Sequence, residues 1–259
     1  MKIAVSGKGG SGKTTISGTL ARLAGMSGRR VLAIDADTNP NLSISLGLAP
    51  GAVDDKAPLP HGLMEHRRID GEMRLSLSKP VDEVTSEYGV AAPDGVQLLM
   101  VGQVKGAATG CMCSSHATVR GLLHDLPSDD GSIVVVDAEA SPEHLSRATV
   151  EAVDLQLIVA EPYFKSLETA RRYAKLGHDL GISNVRVVAN KVRNHEDGDA
   201  IAAFCDTHGM ELTAVVPFDE SLGRAERAGV APVDFDPGGP SVTAIKAIMA
   251  GLLSNGARR

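Results

Sequence analysis

The 259-residue chain has no tryptophan, 3 tyrosines and 4 phenylalanines. Its core must therefore be aliphatic, and an aromatic stacking platform for single-stranded nucleic acid is not expected. Its 3 cysteines are too few for a disulfide framework, which suits a reducing, cytoplasmic address. No apolar run approaches the ~20 residues that would cross a bilayer. Met1–Val5 passes straight into glycines without the apolar stretch and cleavage site of a signal peptide, so no leader is expected. Positive charge is not in excess either: 26 basic residues face 32 acidic ones, a net charge of −6. That balance argues against a surface built wholly for nucleic acid, while a local basic patch stays open. What is present is ordinary for a folded chain, with 43% hydrophobic and 22% charged residues. Wholesale disorder is excluded.

Short Val/Ile/Leu-rich runs alternate with longer amphipathic stretches. Strands are expected at Lys2–Ser6, Val31–Asp35, Val96–Val101, Ile133–Asp137, Leu155–Ala160, Val185–Asn190 and Leu212–Val216. Most are apolar nearly throughout, as strands buried on both faces should be. Helices are expected at Thr14–Met26, Ser166–Asp179, Asp197–His208 and Ser241–Leu253. Strand, helix, strand, repeated, predicts an α/β fold: a mostly parallel sheet with right-handed crossovers and helices on both faces. The weakly patterned, polar segment at about 50–95 reads as a surface excursion within a single domain spanning 1–259.

Gly7-Lys8-Gly9-Gly10-Ser11-Gly12-Lys13-Thr14 fits G-x-x-x-x-G-K-[ST] and lies between an expected strand and an expected helix, the context of a P-loop NTPase. The glycines let successive N–H groups turn toward a phosphate, and the helix N-terminus adds positive potential. Lys13 should reach the β- and γ-phosphates and the Thr14 hydroxyl should bind Mg²⁺. Asp35-Ala36-Asp37 ends the second strand, where ligands of open α/β sheets gather. Ile133–Asp137 is an apolar strand ending in an acid, so Asp137 should hold the magnesium through water.

Gly110-Cys111-Met112-Cys113 is the second informative feature. Cysteines two apart on extended chain put both sulfurs on one side, where they could share a metal. Two thiolates do not complete a site, but a symmetric dimer with the motif near its axis would supply four. Buried apolar cysteines or a vicinal redox pair are the alternatives. His116 reads as an exposed loop residue rather than a ligand, and Cys205 as core.

These residues together resemble the CooC type of the MinD/ParA class, the nickel-insertion ATPases that mature carbon monoxide dehydrogenase. Gly-Lys-Gly-Gly-x-Gly-Lys-Thr-Thr is similar to the deviant Walker motif of that class, which also includes the nitrogenase iron protein. The resemblance implies that Lys8 reaches across a nucleotide-sandwich homodimer, that Asp37 positions the attacking water, and that Asn190 reads adenine. It makes Gly9, Gly10, Ser11, Gly12, Lys13, Thr14, Thr15, Asp137 and Asn190 the expected ATP-binding residues, with Lys8, Lys13 and Asp37 catalytic. Cys111 and Cys113 become the expected ligands of Ni²⁺ or Zn²⁺, with a nickel-containing client enzyme as partner. Lys105-Gly106 through Cys113 is similar to that branch's lysine-glycine-rich stretch ending in C-x-C, and only the C-x-C and Glu143-His144-Leu145 single the branch out. Three departures from that family stand out: Thr38 stands where proline usually follows the second aspartate, Ser141 (followed by Pro142) stands where glycine is usual, and Ser114 stands where proline often follows the second cysteine.

Two other functions fit the same P-loop. A ParA- or MinD-like positioning ATPase would need a basic face for DNA or an amphipathic membrane helix. Ser241–Leu253 carries a stripe of Val242, Ile245, Ile248, Met249, Leu252 and Leu253, but one lysine, Lys246, is little charge for an anionic lipid surface. Neither nucleic acid nor membrane is therefore the expected partner. An electron carrier of the nitrogenase-iron type would need a cysteine within Ala138–Ser141, where there is none.

Overall fold

The computed structural model describes residues 1–37, 39–54, 59–60, 63–69, 71–101, 113–127, 130–140 and 152–256. In chain order the elements are β1 (Lys2–Gly7), α1 (Lys13–Met26), β2 (Val31–Asp35), α2 (Leu42–Ser45), β3 (Met64–Ile69), β4 (Glu72–Leu77), α3 (Val81–Tyr88), β5 (Val90–Ala91) and β6 (Val96–Met100). They continue with α4 (Cys113–Asp125), β7 (Ile133–Asp137), β8 (Leu155–Ala160), α5 (Phe164–Asp179), β9 (Val185–Val192), α6 (His195–Thr207), β10 (Glu211–Pro217), α7 (Glu220–Ala228), α8 (Pro232–Phe235) and α9 (Pro240–Gly256).

The main sheet runs β10-β9-β8-β1-β7-β2-β6-β5. Its described pairings are parallel except for β5, which lies antiparallel on the β6 edge. Strand alternation divides the core in two, as period-2 side chains require. Ile3 and Val5 join Ile16, Leu20 and Ala24 of α1 and Ile245, Ile248, Met249 and Leu252 of α9 on one face. Ala4, Leu32 and Ile34 join α4 (Val119, Leu122, Leu123), α5 (Leu167, Ala170, Tyr173) and α6 (Ile201, Cys205) on the other. The apolar stripe of α9 is thus spent on the core. Among the described residues no helix is long and apolar enough to cross a membrane.

The expected parallel sheet with helices on both faces is the observed one. The polar segment at about 50–95 carries an antiparallel β3–β4 hairpin that packs on α4. The carboxylate of Asp125 in α4 accepts bonds from the Ser76 hydroxyl and the Leu77 N–H of that hairpin. His116 falls within α4, not in a loop, because the helix begins at Cys113.

Candidate functional site

The strands β1, β2 and β7 end at one level, and that register collects the acids. Asp35 pairs with Asp137 across β2 and β7, and Val5 with Asp137 across β1 and β7. Both aspartates are about 1% exposed. Burial and the neighbouring Asp137 push Asp35 up to about 7, although the backbone N–H groups of Leu42 and Asp37 donate to it. Burial likewise raises Asp137 to about 6, against the pull of the Thr14 and Ser17 hydroxyls and of Lys13. Ser17 donates to Asp137 at 3.0 Å. Asp37 is half-buried just beyond, and one of its oxygens caps the Asn39 N–H at 2.9 Å.

The loop of residues 8–12 joins β1 to α1 as the motif demands. Gly7 (φ +147°) and Gly12 (φ +97°) hold backbone angles that suit glycine, and a Cβ on them would overlap the Val159 carbonyl and the Asn190 amide respectively. Gly9 and Gly10 are exposed, and Thr14 and Thr15 are half-buried on the first turn of α1. Ser11 is fully buried, and among the described residues its hydroxyl has no hydrogen-bond partner. Lys13 is 6% exposed. Desolvation lowers its pKa, while Asp137, Asp37 and Glu139 pull it back up.

Asn190 is buried near the end of β9 and donates its amide to the Ser11 carbonyl at 2.7 Å. The next residue, Lys191, adopts φ +59° and reaches the Gly10 carbonyl at 2.6 Å. Both therefore grip the loop backbone. From there a cavity of about 790 Å³ opens toward β10 and α7, lined by Thr15, Asn190, Phe218 and Arg227 among others. The Arg193 guanidinium lies 4.8 Å from the Phe218 ring centroid on that side. The volume falls in the range of small-molecule and cofactor sites. Lys8 shares a separate, shallow cavity of about 560 Å³ with Phe164, a residue 71% exposed.

The structure thus brings Lys8, Lys13, Thr14, Asp37, Asp137 and Asn190 to one end of the sheet. Of the cysteine pair, Cys111 lies outside the described residues and Cys113 opens α4 with its backbone alone described. Thr38, Lys105, Gly106, Ser141, Pro142 and Glu143–Leu145 also lie outside the described residues, and Ser114 is described by its backbone alone. Cys205 is a core residue, its thiol pushed up to about 11 by burial.

The resemblance singles out Asp37 and not Asp35 at the end of β2, and it gives Glu161 and Tyr163 no role. Asp35 had a signal, since it ends a strand beside the Asp137 strand. The others had none, because their meeting depends on which strands become neighbours.

The residues 2–233 match a family model described as the CobQ/CobB/MinD/ParA nucleotide binding domain. The chain is 38% identical over 242 residues to the carbon monoxide dehydrogenase accessory protein CooC of Rhodospirillum rubrum, covering 92% of this chain and 91% of that one. It is 36% identical over 243 residues to an uncharacterised ATP-binding protein of Methanocaldococcus jannaschii, covering 91% and 92%. Among solved structures, the septum site-determining protein MinD of Pyrococcus horikoshii, complexed with Mg-ADP, is similar in fold. Its TM-score is 0.69 at 20% identity, covering 97% of this chain and 96% of that one.

Proposed function

The chain belongs to the CobQ/CobB/MinD/ParA nucleotide-binding family and is an ATPase of it, and on that footing we propose that it is a cytoplasmic metallochaperone. It pairs as a homodimer around ATP, takes up nickel or zinc through Cys111 and Cys113, and helps insert nickel into a carbon monoxide dehydrogenase-like enzyme. What carries this reading is similarity to CooC along nearly the whole chain, joined to a C-x-C pair that ends at the first residue of α4.

The residues divide the work as follows. Backbone N–H groups of the loop and the Lys13 ammonium receive the β- and γ-phosphates at the positive end of α1. Lys13 suits this because its charge is held in a desolvated place where a phosphate is worth more to it than water. Asp37 orients the water that attacks the γ-phosphorus, and Lys8 of each copy meets charge on the other's nucleotide. Asn190 lines the cavity in which the base would lie. Thr14 and Asp137 fit a magnesium ion: two buried carboxyls, Asp35 and Asp137, resist ionising together, which is a donor set that a divalent cation satisfies. When bound, that ion supplies positive charge against the phosphates. A thiolate pair from each of two copies makes the four sulfurs that a soft or borderline ion prefers. Capture and release then follow the two states of the dimer through their different affinities for the metal.

The test is molar mass and metal content of the reduced protein on a sizing column, with and without a non-hydrolysable ATP analogue and added Ni²⁺. We expect a dimer with the analogue and about one nickel per dimer, as a four-thiolate site would hold. The metal should be lost in the Cys111→Ser/Cys113→Ser variant while nucleotide binding stays. A nucleotide-dependent dimer that takes up no metal would overturn the metallochaperone reading and leave the ATPase standing.

A further inference from the structure

Lys8 is not idle in the single chain. Its ammonium sits 5.5 Å from the centroid of the Tyr163 ring and 3.5 Å from the phenol oxygen. Tyr163 donates its own O–H to Glu161 Oε2 at 2.7 Å, so the phenol oxygen turns its lone pairs toward Lys8. That bond and burial push the phenol up to about 12, which keeps it a neutral acceptor. Glu161 is 8% exposed. Its other oxygen takes the Lys191 ammonium at 2.9 Å, and Lys191 ends on the Gly10 carbonyl. Two strand ends, β8 and β9, therefore deliver a carboxylate that spans both ends of one stretch of the phosphate loop. It is tied to Gly10 through Lys191 and to Lys8 through Tyr163.

An ammonium held against the hydroxyl edge of its own Tyr163 is not free to neutralise a phosphate on another molecule. We propose that Tyr163, fixed by Glu161, is a positioning residue that holds Lys8 on its own chain until a nucleotide-bearing second copy takes it, and so sets how much second copy turnover requires. The proposal rests on the reading of Lys8 given under the proposed function. Exposed cation–π contacts are weak, so the hold is a threshold rather than a lock. A phosphate brought close by pairing outbids it, because two opposite charges attract more strongly than a charge and a ring.

The experiment is ATP hydrolysis as a function of protein concentration, and separately of ATP, for the unaltered chain, Tyr163→Phe and Tyr163→Leu. Nucleotide-dependent self-association is measured alongside, in the same three forms and in each combined with Lys8→Ala. Tyr163→Leu should lower the protein concentration for half-maximal specific activity by about two- to fivefold, the factor an exposed cation–π contact is worth. The KM for ATP should not change. Tyr163→Phe keeps the ring and loses the acceptor, so it should fall between the two. In the Lys8→Ala background the Tyr163 substitutions should leave self-association where Lys8→Ala alone puts it. A half-maximal concentration that is unchanged or higher in Tyr163→Leu overturns the proposal, as does a shift that survives without Lys8. Concentration-dependent turnover that Lys8→Ala leaves whole would instead defeat the role of Lys8 itself, whatever Tyr163 does.

Discussion

Lys13 and the two strand-end carboxyls concentrate buried charge at one end of the sheet. Lys13 is buried with its pKa lowered by desolvation, and among described hydrogen-bond partners its ammonium finds only the Lys8 carbonyl, at 3.4 Å. Its replacement by methionine keeps the length and removes the charge, so hydrolysis should fall by about 100-fold or more, the cost of losing one preorganised donor to a charged transition state. Phosphate release measured at saturating ATP reads this, and undiminished turnover would remove Lys13 from the chemistry. The acids make a second prediction, about pH. Asp35 stands at about 7 and Asp137 at about 6, both above the ordinary 3.8. Between those values the folded chain binds more protons than the unfolded one, so stability falls as pH rises through that window. Without nucleotide or divalent cation, the melting temperature should drop from about pH 5 to about pH 7.5. Asp137→Asn should flatten that drop, because the Thr14 and Ser17 hydroxyls can turn to suit an amide. A pH profile identical in the variant would contradict the pairing.

At the scale of elements, what could be read from the sequence depended on how much apolar surface each element had to bury. β1, β2, β7 and β8 are buried along their whole lengths, so their Val/Ile/Leu runs announce them. α9 shows its stripe because one full face enters the core. α7 escaped notice for the opposite reason: the side chains it buries are Ser221 and Ala225, too small to mark a face. The β3–β4 hairpin is hidden in the same way, since Glu65, His66, Arg67 and Arg68 are all exposed. The loop was legible as a site because its glycines and Lys13 are contiguous. The Glu161–Lys191 pair was not, because it forms only once Ala160 and Ala189 become neighbours across β8 and β9. α7 instead relies on its ends. The Asp219 side chain accepts the Ser221 N–H at 2.8 Å, and Gly229 closes the helix at φ +64°. Asp219→Ala should therefore cost about 1 kcal/mol, as lost N-caps do. Because α7 forms a wall of the 790 Å³ cavity, the KM for ATP should rise as well. A variant with unaltered stability would show that the cap contributes nothing there.

For the molecule as a whole, the cleft is assembled from distant parts of the sequence: the loop near residue 10 forms one side and the segment after β10 the other. Something must keep α1 registered against the C-terminal helices, and Arg22 of α1 is placed to do it. Its side chain is 3% exposed and donates to Asp94 (2.6 Å), to Asp234 in α8 through two nitrogens (2.8 Å each) and to the Leu46 carbonyl (3.0 Å). Burial opposes its charge, yet hydrogen bonds to Asp234 and Asp94 hold its pKa above the ordinary value. Removing one partner of a buried ion pair typically costs 3–5 kcal/mol, but Asp94 and Asp234 keep 29% and 42% of their side chains in water and can be rehydrated. About 2 kcal/mol is the better expectation for Arg22→Met, or roughly 4–8 °C in melting temperature for a chain of this size. A nucleotide that binds the folded cleft and not the unfolded chain stabilises the fold, so added ATP analogue should raise the melting temperature of both forms. If Arg22 keeps the two sides of the cleft in register, the rise at a given analogue concentration should be smaller in Arg22→Met. An equal rise would confine Arg22 to holding the helices together and leave the cleft to be set by the sheet alone.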